Sequence, residues 1–102
     1  MDPERLSDII IADVVVSTAG RDQGQLFYVL EADDTYLTLV DGKGRTIEKP
    51  KRKKSKHTHK VLRSDTRVAN KLRLGDKVLN SELRRDLAYL SQQLQSNNLG
   101  GF

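Results

Sequence analysis

Between residues 13 and 63 apolar side chains recur with a period of two, in short runs separated by glycine and aspartate. Val14, Val15 and Val16 are β-branched and predict a first strand ending near Ser17 or Thr18. Ala19-Gly20-Arg21-Asp22-Gln23-Gly24 follows as a loop, whose glycines can take positive φ or let another strand come close. Gln25 to Leu30 predicts a second strand, with Phe27 and Val29 on one face and Leu26, Tyr28 and Leu30 on the other. Asp33-Asp34 supplies a turn, and Tyr36 to Val40 a third strand with Leu37 and Leu39 facing away from Tyr36, Thr38 and Val40. Asp41-Gly42-Lys43-Gly44 predicts a hairpin, Arg45 to Glu48 a fourth strand broken by Pro50, and Lys60-Val61-Leu62 a short fifth. So few short strands cannot make a broad sheet with a large core. Curling into a small barrel hides the core and most strand edges.

Past Ser64 the period lengthens to that of a helix. Ser64 or Asp65 is placed to cap a short helix carrying Val68 and Leu72, with Gly75 as its stop. A second helix starts between Asp76 and Ser81. Leu83, Leu87, Leu90 and Leu94 form one stripe on it, opposite Arg84, Arg85, Gln92 and Gln93, and Asn97, Asn98 and Gly100-Gly101 end it. The stripe is expected either to pack on the sheet and the first helix or to dock a protein partner or a second copy.

With 102 residues, 36% of them hydrophobic, the chain is one small domain built mainly from Leu, Val and Ile. Cysteine is absent, which excludes a disulfide framework, a thiolate metal site and a thiol nucleophile. The start, Met-Asp-Pro-Glu-Arg, is acidic where a secretory signal is basic, and no apolar stretch nears the roughly 20 residues of a membrane span. A soluble cytoplasmic protein that does not enter membranes is expected.

Charge changes the picture most. The net +4 is unevenly spread: residues 1–42 hold 2 basic and 9 acidic side chains, and residues 43–73 hold 13 basic and 2 acidic. Lys49 to Arg63 reads KPKRKKSKHTHKVLR, eight Lys or Arg and no acid. Crowded cations repel one another unless a polyanion neutralises them or they are held apart, and a mobile solubilising loop needs far fewer. The expected partner is nucleic acid, met on one surface by Arg21, Lys43, Arg45, Lys49, Lys51, Arg52, Lys53, Lys54, Lys56, His57, His59, Lys60 and Arg63. Most of these would grip phosphate and confer position with little base discrimination. Phe27, Tyr28 and Tyr36 could stack on bases, but as barrel residues they fit the core better. Few exposed aromatics suit folded RNA more than single strands. Charge alone leaves double-stranded DNA open.

Catalytic chemistry has little to stand on. His57 and His59 lack a third metal ligand. Asp33, Asp34 and Asp41 sit at turns, where bonding to backbone explains them. Gly42-Lys43-Gly44 lacks the Ser or Thr and the setting of a nucleotide-phosphate loop, and Gly20 and Gly24 precede a strand, unlike a dinucleotide fingerprint. The expectation is no enzyme, no cofactor and no metal.

Val14 to Gly24, hydrophobic alternation into a loop with one glycine and a second glycine opening the next strand, resembles the KOW motif. The resemblance continues through Gln25 to Lys43 and the lysine-rich stretch from Glu48 to about Leu62. It is nearest to bacterial KOW-domain RNA-binding proteins, which are related to KOW-containing large-subunit ribosomal proteins of archaea and eukaryotes. It implies an SH3-like barrel and a partner in ribosomal RNA or the large ribosomal subunit. Gly20 and Gly24 would be the structural glycines, Gly24 at a tight approach between the first two strands. Gln23 stands where many members have Lys or Arg, and Phe27 where many have a second glycine, which moves the phosphate contacts toward residues 49–63. The expected organisation is an N-terminal extension (1–12), a KOW/SH3-like barrel (13–63) and a helical region (64–99). The protein would be mainly β with a helical tail, and would bind RNA without catalysis as a ribosome-associated factor or ribosomal protein of a ribonucleoprotein. The alternatives are a protein–protein adaptor acting through the leucine stripe, or a double-stranded DNA binder.

Overall fold

The computed structural model describes residues 8–101, and the side chains of residues 8–96. Arg5 and Leu6, within the predicted N-terminal extension, lie outside the described residues. Strands β1 (Asp13–Ser17), β2 (Leu26–Ala32), β3 (Tyr36–Val40), β4 (Lys51–Lys54) and β5 (Thr58–Arg63) precede helices α1 (Arg67–Leu74) and α2 (Asn80–Gly101). The strands form one antiparallel sheet in the order β4-β3-β2-β1-β5. Its edge strands, β4 and β5, are consecutive in the chain, joined only by a 3-10 turn at Ser55–His57. Register shifts between Val14 and Val15 against β5, and between Val29 and Glu31 against β3, mark bulges that sharpen the local twist.

Both faces of the sheet are apolar, as the alternation in β2 and β3 requires. Ile9, Val15, Phe27, Val29, Leu37 and Leu39 make one core. On the other face Val14, Tyr28 and Val40 pack against Val68, Leu72, Leu83, Leu87 and Leu90 of the helices. Burying each large apolar side chain contributes about 1.5–3 kcal/mol, so the two layers hold each other in place. Lys71 and Glu82, 2.8 Å apart, bridge α1 to α2.

The segment after β3 departs from the pattern. Arg45 to Glu48 is not a strand, and Asp41-Gly42-Lys43-Gly44 is not a two-strand hairpin turn. Asp41 Oδ1 accepts from the Lys43 and Arg45 amides at 2.9 Å each. The Ile47 amide donates to Asn80 Oδ1 (2.9 Å), Asn80 Nδ2 to Glu48 (2.8 Å), and Arg84 to the Gly42 carbonyl (2.7 Å). Backbone groups that a strand would need are thus taken by a side chain and by α2, and the ladder resumes only after Pro50.

Three local signals also resolve differently. The cap of α1 is Thr66, not Ser64 or Asp65: its hydroxyl accepts from the Ala69 amide, and Gly75 stops the helix at φ +75°. α2 ends at Gly101, within the expected stop, but Asn97 and Asn98 do not halt it, because asparagine lowers helix propensity without forbidding helical dihedrals. Gly24 makes no tight approach, since an added Cβ would meet nothing within 4 Å, and its φ of +91° is what calls for glycine. The close approach is at Gly42, where a Cβ would lie 2.2 Å from the Asn80 carbonyl oxygen of α2.

Candidate nucleic-acid interface

The basic run is ordered structure: it builds β4, the 3-10 turn and β5. Strand geometry then divides its charges. Lys51 and Lys53 lie opposite Leu39 and Leu37 and share their face, whereas Arg52 and Lys54 lie opposite Thr38 and Tyr36 on the other. Lys53 is 9% exposed, and its Nζ donates to the Ala19 carbonyl (2.8 Å) and to Asp22 Oδ1 (3.0 Å). Lys51 Nζ reaches Asp22 Oδ2 at 2.6 Å, and Ser17 Oγ donates to Asp22 Oδ1 at 2.6 Å. Burial alone would push the Asp22 carboxyl upward, but the bonds from Lys51, Ser17 and Lys53 outweigh it and hold the group well below the usual carboxylate range. The β1–β2 loop, with Gly20 at φ +86°, is therefore fastened to β4 by one carboxylate and two ammonium groups.

A second acid does similar work on β5. Asp13 is fully buried, accepts from the Ile10 amide (2.9 Å), and lies 3.4 Å from both Lys60 Nζ and Arg63 Nε. Lys60 also stands 3.7 Å from Asp8. Four of the expected phosphate ligands, Lys51, Lys53, Lys60 and Arg63, are thus paired with acids of the N-terminal third. A charge held by a carboxylate inside the fold offers little to an outside anion.

The remaining cations border more than one depression. Arg21, Lys43 and Arg45 border a depression of about 360 Å³ between the β1–β2 and β3–β4 loops, together with the paired Lys51. Lys54, Lys56 and His59 border another of about 640 Å³ at the β4–β5 turn, with Asp8, Asp34 and the paired Lys60. Lys49 is exposed before β4, His57 is half-buried in the 3-10 turn, and Arg52 lies over the Tyr36 ring with its guanidinium carbon 4.0 Å from the ring centre. Among the described residues Arg21, Lys43, Arg45, Lys49, Lys54 and Lys56 have no ion pair. Phe27 and Tyr28 are core residues, and Tyr36 alone of the three candidate stacking rings is partly open to solvent.

The leucine stripe is not a docking face over most of its length. Leu83, Leu87 and Leu90 are buried in the sheet–helix core, and Leu94, a turn further on, is half-buried. Beside them lies a polar knot absent from the sequence pattern. The Tyr28 hydroxyl donates to Asp86 Oδ2 and lies 2.8 Å from Ser64 Oγ, while Thr66 Oγ1 donates to Asp86 at 2.9 Å. Burial first, and the bond to the Asp86 carboxylate second, push the Tyr28 phenol up to about 12. These residues join β2, the β5–α1 connection and α2, so they are structural. Spacing could not show it, because the partners are dozens of residues apart. The Asp22 clamp had a faint signal: lysines two apart on one strand need a shared acid if their face is apolar.

Among the described residues no three His, Asp or Glu side chains cluster as a metal site, and no helix is long and apolar enough to cross a membrane. No protein-family model matches the chain, and no curated protein matches it.

Proposed function

We propose that this protein binds structured RNA without catalysis, as an SH3-like domain whose loops carry the contacting cations. The topology supports the curled-barrel reading. In a flat sheet β4 and β5 would be about 19 Å apart, four strand spacings, yet the four residue steps from Lys54 to Thr58 span at most about 14 Å. So short a link favours a sheet curled so that its edges approach each other. The observation that carries the functional reading is the set of exposed, unpaired cations left after Asp22 and Asp13 have taken theirs: Arg21, Lys43 and Arg45 on loops, and Lys49, Lys54 and Lys56 around β4. Two cationic rims suit the phosphate backbones of folded RNA, and the likeness to KOW proteins makes ribosomal RNA or the large ribosomal subunit the target.

Replacing Lys43, Arg45, Lys49, Lys54 and Lys56 together by alanine is expected to weaken binding to a ribosomal-RNA fragment at least tenfold at about 0.15 M salt. The melting curve should hardly move, since none of the five is ion-paired. If the wild type neutralises about five phosphates, its log K should fall with log salt at a slope of roughly 4, and the variant's slope should be much shallower. Unchanged affinity in the variant refutes the assignment. Preference for a DNA duplex over an RNA duplex of equal length would transfer the reading to DNA.

A further inference from the structure

Among the exposed cations without an ion pair, Arg52 is poorly placed for phosphate. Glu31 pairs with Thr38 across the sheet, and Thr38 pairs with Arg52, so the three stand in one cross-strand row. All three border one depression of about 540 Å³, together with Asp33 of the β2–β3 turn. The Asp33 carboxylate accepts from the amides of Tyr36 (2.7 Å) and Thr35 (2.9 Å), which hold it ionised, with a further pull from the Arg52 charge. An incoming phosphate would meet two carboxylates here. A neutral ring would meet the same carboxylates without charge repulsion.

What the site does offer is a stacking surface. The guanidinium of Arg52 lies over the Tyr36 ring at 4.0 Å, and Arg52 is exposed, so the side turned away from the ring meets solvent. A planar cation backed by an aromatic ring is a platform for a nucleobase. Lys54 lies opposite Tyr36 on β4, exposed and without an ion pair among the described residues, where the phosphate of a stacked nucleotide can reach it. Glu31, two strand spacings or about 9.5 Å from Arg52, is exposed, its carboxylate has no hydrogen bond among the described residues, and a carboxylate can only accept. Of the four RNA bases only guanine presents two adjacent donors, N1–H and the N2 amino group, on its pairing edge. The others set an acceptor beside their donor and would turn it toward the carboxylate.

We infer that this face of the sheet holds one unpaired guanine of the RNA, its ring on Arg52 backed by Tyr36, its edge on Glu31 and its phosphate at Lys54. The inference rests on the RNA-binding reading and deepens it: the loop cations hold the helical backbone, and the sheet face takes a base out of the stack.

The test compares a blunt RNA duplex with hairpins of the same stem carrying G, A, C or U at one loop position, by fluorescence anisotropy at about 0.15 M salt. The G hairpin should bind roughly tenfold or more tighter than the duplex, the size of one stacked base. Arg52→Lys keeps the charge and loses the plane: it should bring the G hairpin to the duplex level and leave duplex affinity and its salt slope unchanged. Glu31→Ala should abolish the preference for G over A. A hairpin-to-duplex ratio unmoved by both Arg52→Lys and Tyr36→Ala overturns the site, and a G preference that survives Glu31→Ala overturns the base assignment. Failure of the wild type to bind either the duplex or the hairpins would instead refute the RNA-binding reading beneath it.

Discussion

Asp22→Asn tests the clamp that binds the β1–β2 loop to β4. In the wild type the Lys53 ammonium, 9% exposed, has two acceptors, Asp22 Oδ1 and the Ala19 carbonyl, and Lys51 has Asp22 Oδ2 at 2.6 Å. The asparagine oxygen can still accept one bond, but no negative charge remains to offset two ammonium groups. Removing one partner of a fully buried pair costs about 3–5 kcal/mol, and this pair lies at the rim with one acceptor retained, so about 2 kcal/mol is expected. For a domain of this size that is a fall in Tm of about 8–16 °C. Because the folded pKa of Asp22 lies below its unfolded value of 3.8, the stabilisation is complete above that value and fades as pH falls toward the folded pKa. The Tm gap between variant and wild type, followed by circular dichroism, should therefore be widest near neutral pH and narrow steadily below about pH 4. RNA affinity at low salt should hold or rise, since Lys51 is released and a negative charge is lost. A Tm change within about 2 °C at neutral pH, or a gap that stays constant into the acid range, would show that the clamp does not stabilise the fold.

Gly42→Ala should destabilise by more than about 3 kcal/mol in denaturant titration, because it combines a positive φ with a Cβ 2.2 Å from the Asn80 carbonyl, whereas Gly24→Ala, with open space around it, should cost only about 1–2 kcal/mol. Tyr28→Phe should cost about 1–3 kcal/mol by leaving Ser64, Thr66 and Asp86 short of a partner. In the wild type one tyrosine should resist ionisation until about pH 12 in an absorbance titration, and because the unfolded phenol ionises first, near 10, stability should decline between those values. Leu87→Ala should lower the denaturant midpoint by the equivalent of about 2–4 kcal/mol, the result expected of a core leucine and not of a docking residue.

Strand alternation was legible because it is a local property. The faces of Phe27 and Val29 against Tyr28, and of Leu37 and Leu39 against Val40, follow from period two alone, and they match the two cores. The spacing of Leu83, Leu87 and Leu90 placed them on one helical stripe for the same reason, and the structure decides between packing and docking by burying all three. The stretch from Arg45 to Glu48 failed because its amides are claimed by Asp41 and by Asn80, one of them 33 residues from Ile47. Thr66 took the cap from its neighbours because its hydroxyl also serves Asp86.

The candidate site shows the same division. The composition of residues 43–63 established that cations outnumber acids locally, and from that the sequence reading expects an anionic partner. It could not show which cations are available, since that depends on where Asp13 and Asp22 arrive after the chain has folded back. Hydrophobic period and charge content are carried by neighbours in the chain, so the amino-acid sequence settles them before any long-range contact forms. Ion pairing, the hydrogen bonds that hold Gly42, Ile47 and Glu48 to the start of α2 and the stacking of Arg52 on Tyr36 join groups from separate elements, and only the tertiary structure brings those groups within reach of one another.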